Sequence, residues 1–208
     1  MKVEKRTLTF QDLQIRQSQN DGDEGKSAPK ISGYAAVYNS ESELLYGFFK
    51  EVIRPGAFDN SINNDVRCLF NHDSSKVLGR TVSNTLKLTS DAKGLYFEVT
   101  PPDAVWAEDL LESIKRGDIN QMSFGFTVND DKWETLADGT DLRELLDVNL
   151  FEVSVVTFPA YQATTVSARS TEEIEEESIK KRFEQRKKPL EPKRFFDYQL
   201  KLMKMGDY

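Results

Sequence analysis

The stretch Met122–Val156, MSFGFTVNDDKWETLADGTDLRELLDVNLFEVSVV, decides the fold. Met122–Trp133 and Leu142–Val156 each read as a long strand, with side chains falling on alternate faces. Asp138–Gly139 lies between them and suits a hairpin turn.

The same signature recurs upstream. Arg6–Arg16 alternates imperfectly through Leu8, Phe10, Leu13 and Ile15, and a polar loop, Gln17–Pro29, follows. Lys30–Tyr38, Gly47–Ile53, Val66–Asn71, Thr85–Leu88 and Leu95–Val99 are further predicted strands, separated by turn residues such as Ser83–Asn84 and Asp91–Gly94. Asp103–Lys115 breaks the pattern with Trp106, Leu110, Leu111 and Ile114 at helical spacing, an Asp suited to capping its start, and Gly117 just past its end. Asp59–Asn63 suits a short helical turn. The sum is a mostly β domain with a few helices (α+β), closed as a barrel or a sandwich.

After Pro159–Ala160 the composition shifts. An acidic run, Glu172–Glu177, precedes a basic run ending at Arg186–Lys188, the order that supports an exposed helix over Thr171–Lys188. Pro189 and Pro192 end it, and Lys193–Met205 suits a second short helix. The expected organisation is a domain over residues 1–170 and a charged helical extension over residues 171–208. That extension is a solvated appendage, or else a docking or self-processed segment.

The 208 residues suffice for such a domain, and 38% hydrophobic with 13 Phe and 7 Tyr excludes a wholly disordered chain. A net charge of −7 argues against a protein built to grip nucleic-acid phosphates. A single cysteine, Cys68, forms no intrachain disulfide, so an oxidising compartment is not implied. No signal peptide or membrane-spanning apolar run is apparent, and the expected location is the cytoplasm of the cell that makes the chain. A zinc site with His and Cys ligands needs more of both than one each. The acidic stretch Asn20–Gly25 lacks the closing Glu of a calcium loop. No metal or other cofactor is expected.

Three residues carry candidate chemistry. Alternation puts Ser123, Gly125 and Thr127 on one face of their strand, opposite Met122, Phe124 and Phe126; such a serine either presents its hydroxyl to a cleft or faces solvent. No G-x-S-x-G elbow is present, which disfavours an α/β-hydrolase. His72 follows the strand Val66–Asn71 on the face of Val66, Cys68 and Phe70. It is a satisfied core residue or the proton carrier, being the side chain whose ordinary range suits proton transfer near neutrality. Cys68 precedes it by four residues, about 13 Å along a strand and too far for a dyad, so Cys68 reads as a small buried hydrophobe. Glu152 shares a predicted face with Leu150, Ser154 and Val156. Such an acid points into solvent, or is buried and needs a partner.

Taken in order, these residues and their surroundings resemble the prohead serine protease family of tailed bacteriophages. The likeness spans Thr7 to Ala168. It runs through ISGYAAVYN (Ile31–Asn39), EVIRPGAF (Glu51–Phe58), VRCLFNHDSSKVLGRT (Val66–Thr81), Leu95–Phe97, Asp109–Gly117, MSFGF (Met122–Phe126) and LFEVSVVTFPAY (Leu150–Tyr161). The resemblance implies a serine nucleophile at Ser123 and a histidine base at His72, with Glu152 chosen as third member. The family is distantly similar to herpesvirus assembly proteases, which implies a β-barrel-like core. Those enzymes use a second histidine, and with only one here an acid must serve or the site works as a dyad. Arg80 is either a supporting cation near the cleft or half of a structural ion pair.

The implied partners are the major capsid protein with its scaffold segment, and the chain itself through self-cleavage or self-association. No nucleic acid or membrane partner is implied, and the implied place is the assembling prohead in the host cytoplasm. Two other readings compete. A catalytically inactive scaffold or assembly chaperone on the same fold would be expected to have lost one of the three residues. An esterase using the same dyad would act on small esters and leave capsid protein intact.

Overall fold

The computed structural model describes residues 3–8, 13–17, 28–158, 181 and 184. The chain divides into two compact units, Met1–Ala163 and Thr164–Tyr208. In the second unit Lys181 and Glu184 are helical and exposed. The remaining predicted tail helices, and the boundary expected at residue 170, lie outside the described residues.

The first unit is mostly strand. Its strands are β1 (Glu4–Leu8), β2 (Gln14–Gln17), β3 (Pro29–Val37), β4 (Phe49–Ile53), β5 (Arg67–Phe70), β6 (Asp73–Arg80), β7 (Leu86–Ser90), β8 (Gly94–Val99), β9 (Gln121–Thr135) and β10 (Asp141–Val156), and among its described residues there is one α-helix, α1 (Val105–Arg116). One sheet runs β1-β9-β10-β5-β6, with β4 also pairing with β10; the other runs β2-β3-β8-β7. Strand β10 organises the first sheet. It pairs antiparallel with β9 along its length and parallel with β4 at Asp141–Leu145 and with β5 at Glu152–Val155.

One apolar core joins the two sheets and the helix. Ile31, Leu95, Phe97 and Val99 from the four-stranded sheet meet Phe124, Phe126, Leu150 and Val153 from the other, and Leu110, Leu111 and Ile114 of α1 join them. The helix stops at Gly117, whose φ of 81° suits a glycine and whose N–H bonds the carbonyls of Ile114 and Ser113. The hairpin between β9 and β10 turns at Asp138–Gly139, where Gly139 N–H bonds Leu136 O and Leu136 N–H bonds Thr140 O.

Several expectations are corrected. Arg6–Arg16 is not one strand: β1 joins β9 and β2 joins β3, so the chain changes sheets between them. β6 was not expected, because it begins with exposed polar residues and buries only Leu78 and Gly79. The residue capping α1 is Ala104, with no side-chain bond, rather than Asp103. By contrast, the short helical turn expected at Asp59–Asn63 falls within successive turns over residues 55–63, which include one helical bond, Ile62 N–H to Phe58 O.

The core gives way to charge where β1, β4, β9 and β10 meet. Arg6 Nε donates to Glu51 Oε1 at 2.5 Å and its Nη2 to Glu4 Oε2 at 2.7 Å. Arg143 reaches Glu4 Oε2 at 2.7 Å, Glu51 Oε2 at 3.1 Å and Asp131 Oδ2 at 2.8 Å. Glu4, Arg6, Glu51 and Arg143 are all buried. Burial alone would pull the Arg143 guanidinium down, but Glu51 and Glu4 beside it more than reverse this and hold it up. This cluster fixes β1 to the body of the sheet.

Candidate active site

The site forms where β9, β10 and the turn between β5 and β6 bring polar side chains together. In the β9–β10 ladder Ser123 stands opposite Ser154 and Gly125 opposite Glu152. A bulge between Leu150 and Glu152 makes this register possible. Without it Glu152 would share the face of Leu150, as simple alternation predicts. The extra residue, Phe151, rotates the strand so that Leu150, Val153 and Val155 enter the core and Glu152 points away from it.

His72 is not at the end of a strand but in the tight turn between β5 and β6, where Phe70 pairs with Asp73. Asn71 and His72 have φ of 52° and 58°, the doubly left-handed geometry of a two-residue hairpin. An asparagine tolerates it; a histidine there is held under backbone strain of about 1 kcal/mol or more. The turn is tied to the end of β10. Asn71 N–H bonds Val155 O at 2.9 Å. Its side-chain amide donates to Thr157 Oγ1 at 3.1 Å, and its Oδ1 accepts Thr157 N–H at 2.8 Å.

The turn thus delivers the imidazole to the strand that carries the acid. His72 Nδ1 and Glu152 Oε1 are 2.5 Å apart. Their side chains retain 15% and 12% of their exposure, so the pair is reachable from solvent. The second carboxylate oxygen accepts a short hydrogen bond from Ser154 Oγ. Nδ1 is thus the ring nitrogen that meets the acid.

Gly125 makes room for this. A Cβ there would stand 2.7 Å from Glu152 Oε1 and 3.1 Å from its Cγ, so the acid lies across the space a side chain would fill.

Ser123 is on the neighbouring strand but is not bonded to His72. Its side chain is fully buried, and its hydroxyl donates to Arg6 O at 2.9 Å. The structure therefore joins His72 to Glu152 and sets Ser123 one strand away, across from Ser154. Cys68 lies in the core; burial first, and the Glu152 charge second, push its thiol up, out of nucleophilic range. Arg80 makes a two-pronged ion pair with Asp65 at 2.6 Å through both contacts, which is the structural alternative for that residue. Among the described residues no group of three or more His, Cys, Asp or Glu is placed to hold a metal ion.

Asn71, Gly125 and Ser154 were not singled out from the sequence. Ser154 and Gly125 carry a period-two signal, since each lies two residues from a candidate on the same face. Asn71 carries none, because Asn-His is not a recognised hairpin dipeptide.

The family model described as caudovirus prohead serine protease matches residues 11–178. The prohead protease of Enterobacteria phage HK97 is 31% identical over 176 residues, covering 82% of this chain and 71% of that protein. The prohead protease of Escherichia phage T5 is 27% identical over 158 residues, covering 67% of this chain and 71% of that one. Among solved structures, the bacteriophage T4 capsid assembly protease has a TM-score of 0.52 at 12% identity, covering 76% of this chain and 98% of that one, a likeness of fold. With a family model spanning most of its length and a relative of this identity, the chain belongs to the caudovirus prohead serine protease family.

Proposed function

We propose that this viral capsid maturation protease is a serine endopeptidase in which Ser123 is the nucleophile, His72 the general base and acid, and Glu152 the residue that orients His72. The observation that carries the reading is the 2.5 Å contact between His72 Nδ1 and Glu152 Oε1, on a strand adjacent to the one bearing Ser123. Glu152 holds the imidazole with its proton on Nδ1, leaving Nε2 as base, and stabilises the imidazolium when it forms.

Ser123 must first turn its hydroxyl away from Arg6 O. It then attacks the scissile carbonyl while His72 Nε2 takes its proton, and His72 returns that proton to the leaving amine. Water attacks the acyl-enzyme by the same base catalysis and frees Ser123. Oxyanion stabilisation falls to backbone N–H groups or a cation at the cleft.

The substrate we propose is the major capsid protein, cut to remove its scaffold segment, together with the protease itself, inside the assembling prohead in the host cytoplasm. The names of the relatives support this, since they act as prohead or capsid assembly proteases. The test is co-expression with the neighbouring major capsid protein, as wild type and as Ser123→Ala, followed by intact masses of both proteins. Defined products in the wild type that vanish in the variant are expected. Identical masses in both, with proheads still forming, would refute the reading in favour of an inactive assembly factor.

A further inference from the structure

We infer that Ser154 is a positioning residue: its hydroxyl holds one oxygen of Glu152 so that the other stays on His72. The inference rests on the proposed roles of His72 and Glu152 and adds a residue to them. Glu152 has a long side chain at a partly exposed position, and an unrestrained carboxylate there can swing toward water. Two contacts prevent this. Oε1 meets His72 Nδ1 at 2.5 Å, and Oε2 accepts the Ser154 hydroxyl. Together they fix both the reach of the carboxylate and its rotation about its last bond.

The placement of Ser154 suits that task. It lies two residues beyond Glu152 on β10, on the same side of the strand, and is fully buried. A buried hydroxyl needs an acceptor, and the one it has among the described residues is Glu152. Ser154 also stands directly opposite Ser123, so the acid, its holder and the proposed nucleophile occupy adjoining places in one ladder. The bond is charge-assisted, the class that combines strength with directional control.

Because His72 is the only histidine in the chain, its ring resonances need no assignment. The experiment is nitrogen-15 histidine NMR of the full chain, alongside cleavage kinetics on purified capsid protein. The wild type is expected to hold the Nδ1–H tautomer, with a far-downfield Nδ1 proton. In Ser154→Ala that proton is expected to broaden away and the ring to populate the Nε2–H tautomer. kcat is expected to fall roughly 10- to 100-fold, as for a catalytic group displaced by a fraction of an ångström to an ångström, with KM little changed.

Ser154→Thr and Ser154→Val separate the hydroxyl from packing, since they share a shape and differ in that one group. Threonine is expected to keep the wild-type signature and valine to lose it. A wild-type spectrum and rate in the alanine variant, or identical behaviour of the threonine and valine variants, overturns the inference. Ser123→Ala is run beside them. Full cleavage by that variant refutes the underlying assignment instead, whereas an inactive Ser123→Ala with an unaffected Ser154→Ala removes only the role of Ser154.

Discussion

Replacing Gly125 by alanine tests the site most sharply, because its effects on folding and on chemistry point in opposite directions. A methyl at this position would stand 2.7 Å from Glu152 Oε1, 3.1 Å from its Cγ and 3.3 Å from its Cδ. Ordinary contact begins near 3.4 Å, so the carboxylate oxygen must retreat by about 0.7 Å. The clash is with the far end of a flexible side chain, so the fold yields cheaply. Gly125 is also not among the glycines of positive φ, and alanine suits its backbone. Gly→Ala at such a place stabilises by about 0.4–1 kcal/mol through the unfolded chain.

The chemistry is affected differently. The atom that moves is the one bonded to His72 Nδ1 at 2.5 Å. A shift of about 0.7 Å consumes most of the distance tolerance of a hydrogen bond, and misplacement near 1 Å costs about 100-fold in rate. Gly125→Ala is therefore expected to melt at or slightly above the wild-type temperature while cleaving capsid protein tens of times more slowly. Mass spectrometry of timed digests and a thermal melt read both quantities. Wild-type cleavage by a folded Gly125→Ala protein would refute the idea that the glycine exists to admit Glu152.

Two further outcomes follow from groups outside the site. Glu51→Ala strands Arg6 and Arg143 beside an incomplete set of carboxylates in a buried setting, and is expected to cost about 3–5 kcal/mol in urea unfolding; a loss below about 1 kcal/mol would mean the cluster is solvated. Asp65, held below its usual range mainly by the Arg80 hydrogen bond, and Glu144, held low mainly by Arg54, bind fewer protons folded than unfolded. Their contribution is thus present at neutral pH and is lost as the pH falls through and below the ordinary carboxylate range near pH 4. The melting temperature should decline between about pH 5 and pH 3, and less steeply in Asp65→Asn; equal slopes would dismiss that pair.

The long hairpin was legible in the sequence because β9 and β10 alternate over many residues and the Asp138–Gly139 turn lies where their register requires. What alternation concealed was the bulge. In the bare string Leu150, Glu152 and Ser154 fall on one face, and only the ladder reveals that Phe151 is the extra residue. His72 was misplaced for a related reason: period-two reading carried the strand through Asn71, whereas the backbone turns there at positive φ without the usual glycine. β1 and β2 read as one segment because Leu8, Phe10, Leu13 and Ile15 form an imperfect alternation, and pairing partners distant in sequence, Ser123 for Thr7 and Ile31 for Ile15, are what divide them. The candidate residues could therefore be named from the sequence, but the contacts between them depend on long-range register.

On the proposed assignment, the resting position of Ser123 raises the question of what must move before attack. Its hydroxyl is held by Arg6 O, a carbonyl of β1. Releasing one such hydrogen bond costs a net 0.5–1.5 kcal/mol, or about two- to thirteen-fold in population. Displacing β1 instead would withdraw Arg6 from Glu51 and Glu4 from Arg143, all four of them buried. Breaking a buried pair costs about 3–5 kcal/mol, which is a factor of hundreds to thousands. Rotation about the Ser123 Cα–Cβ bond is thus the far cheaper route, and it leaves the sheet intact. The ion cluster then serves the chemistry indirectly: it keeps the strand ladder fixed while a single side chain changes its hydrogen-bond acceptor.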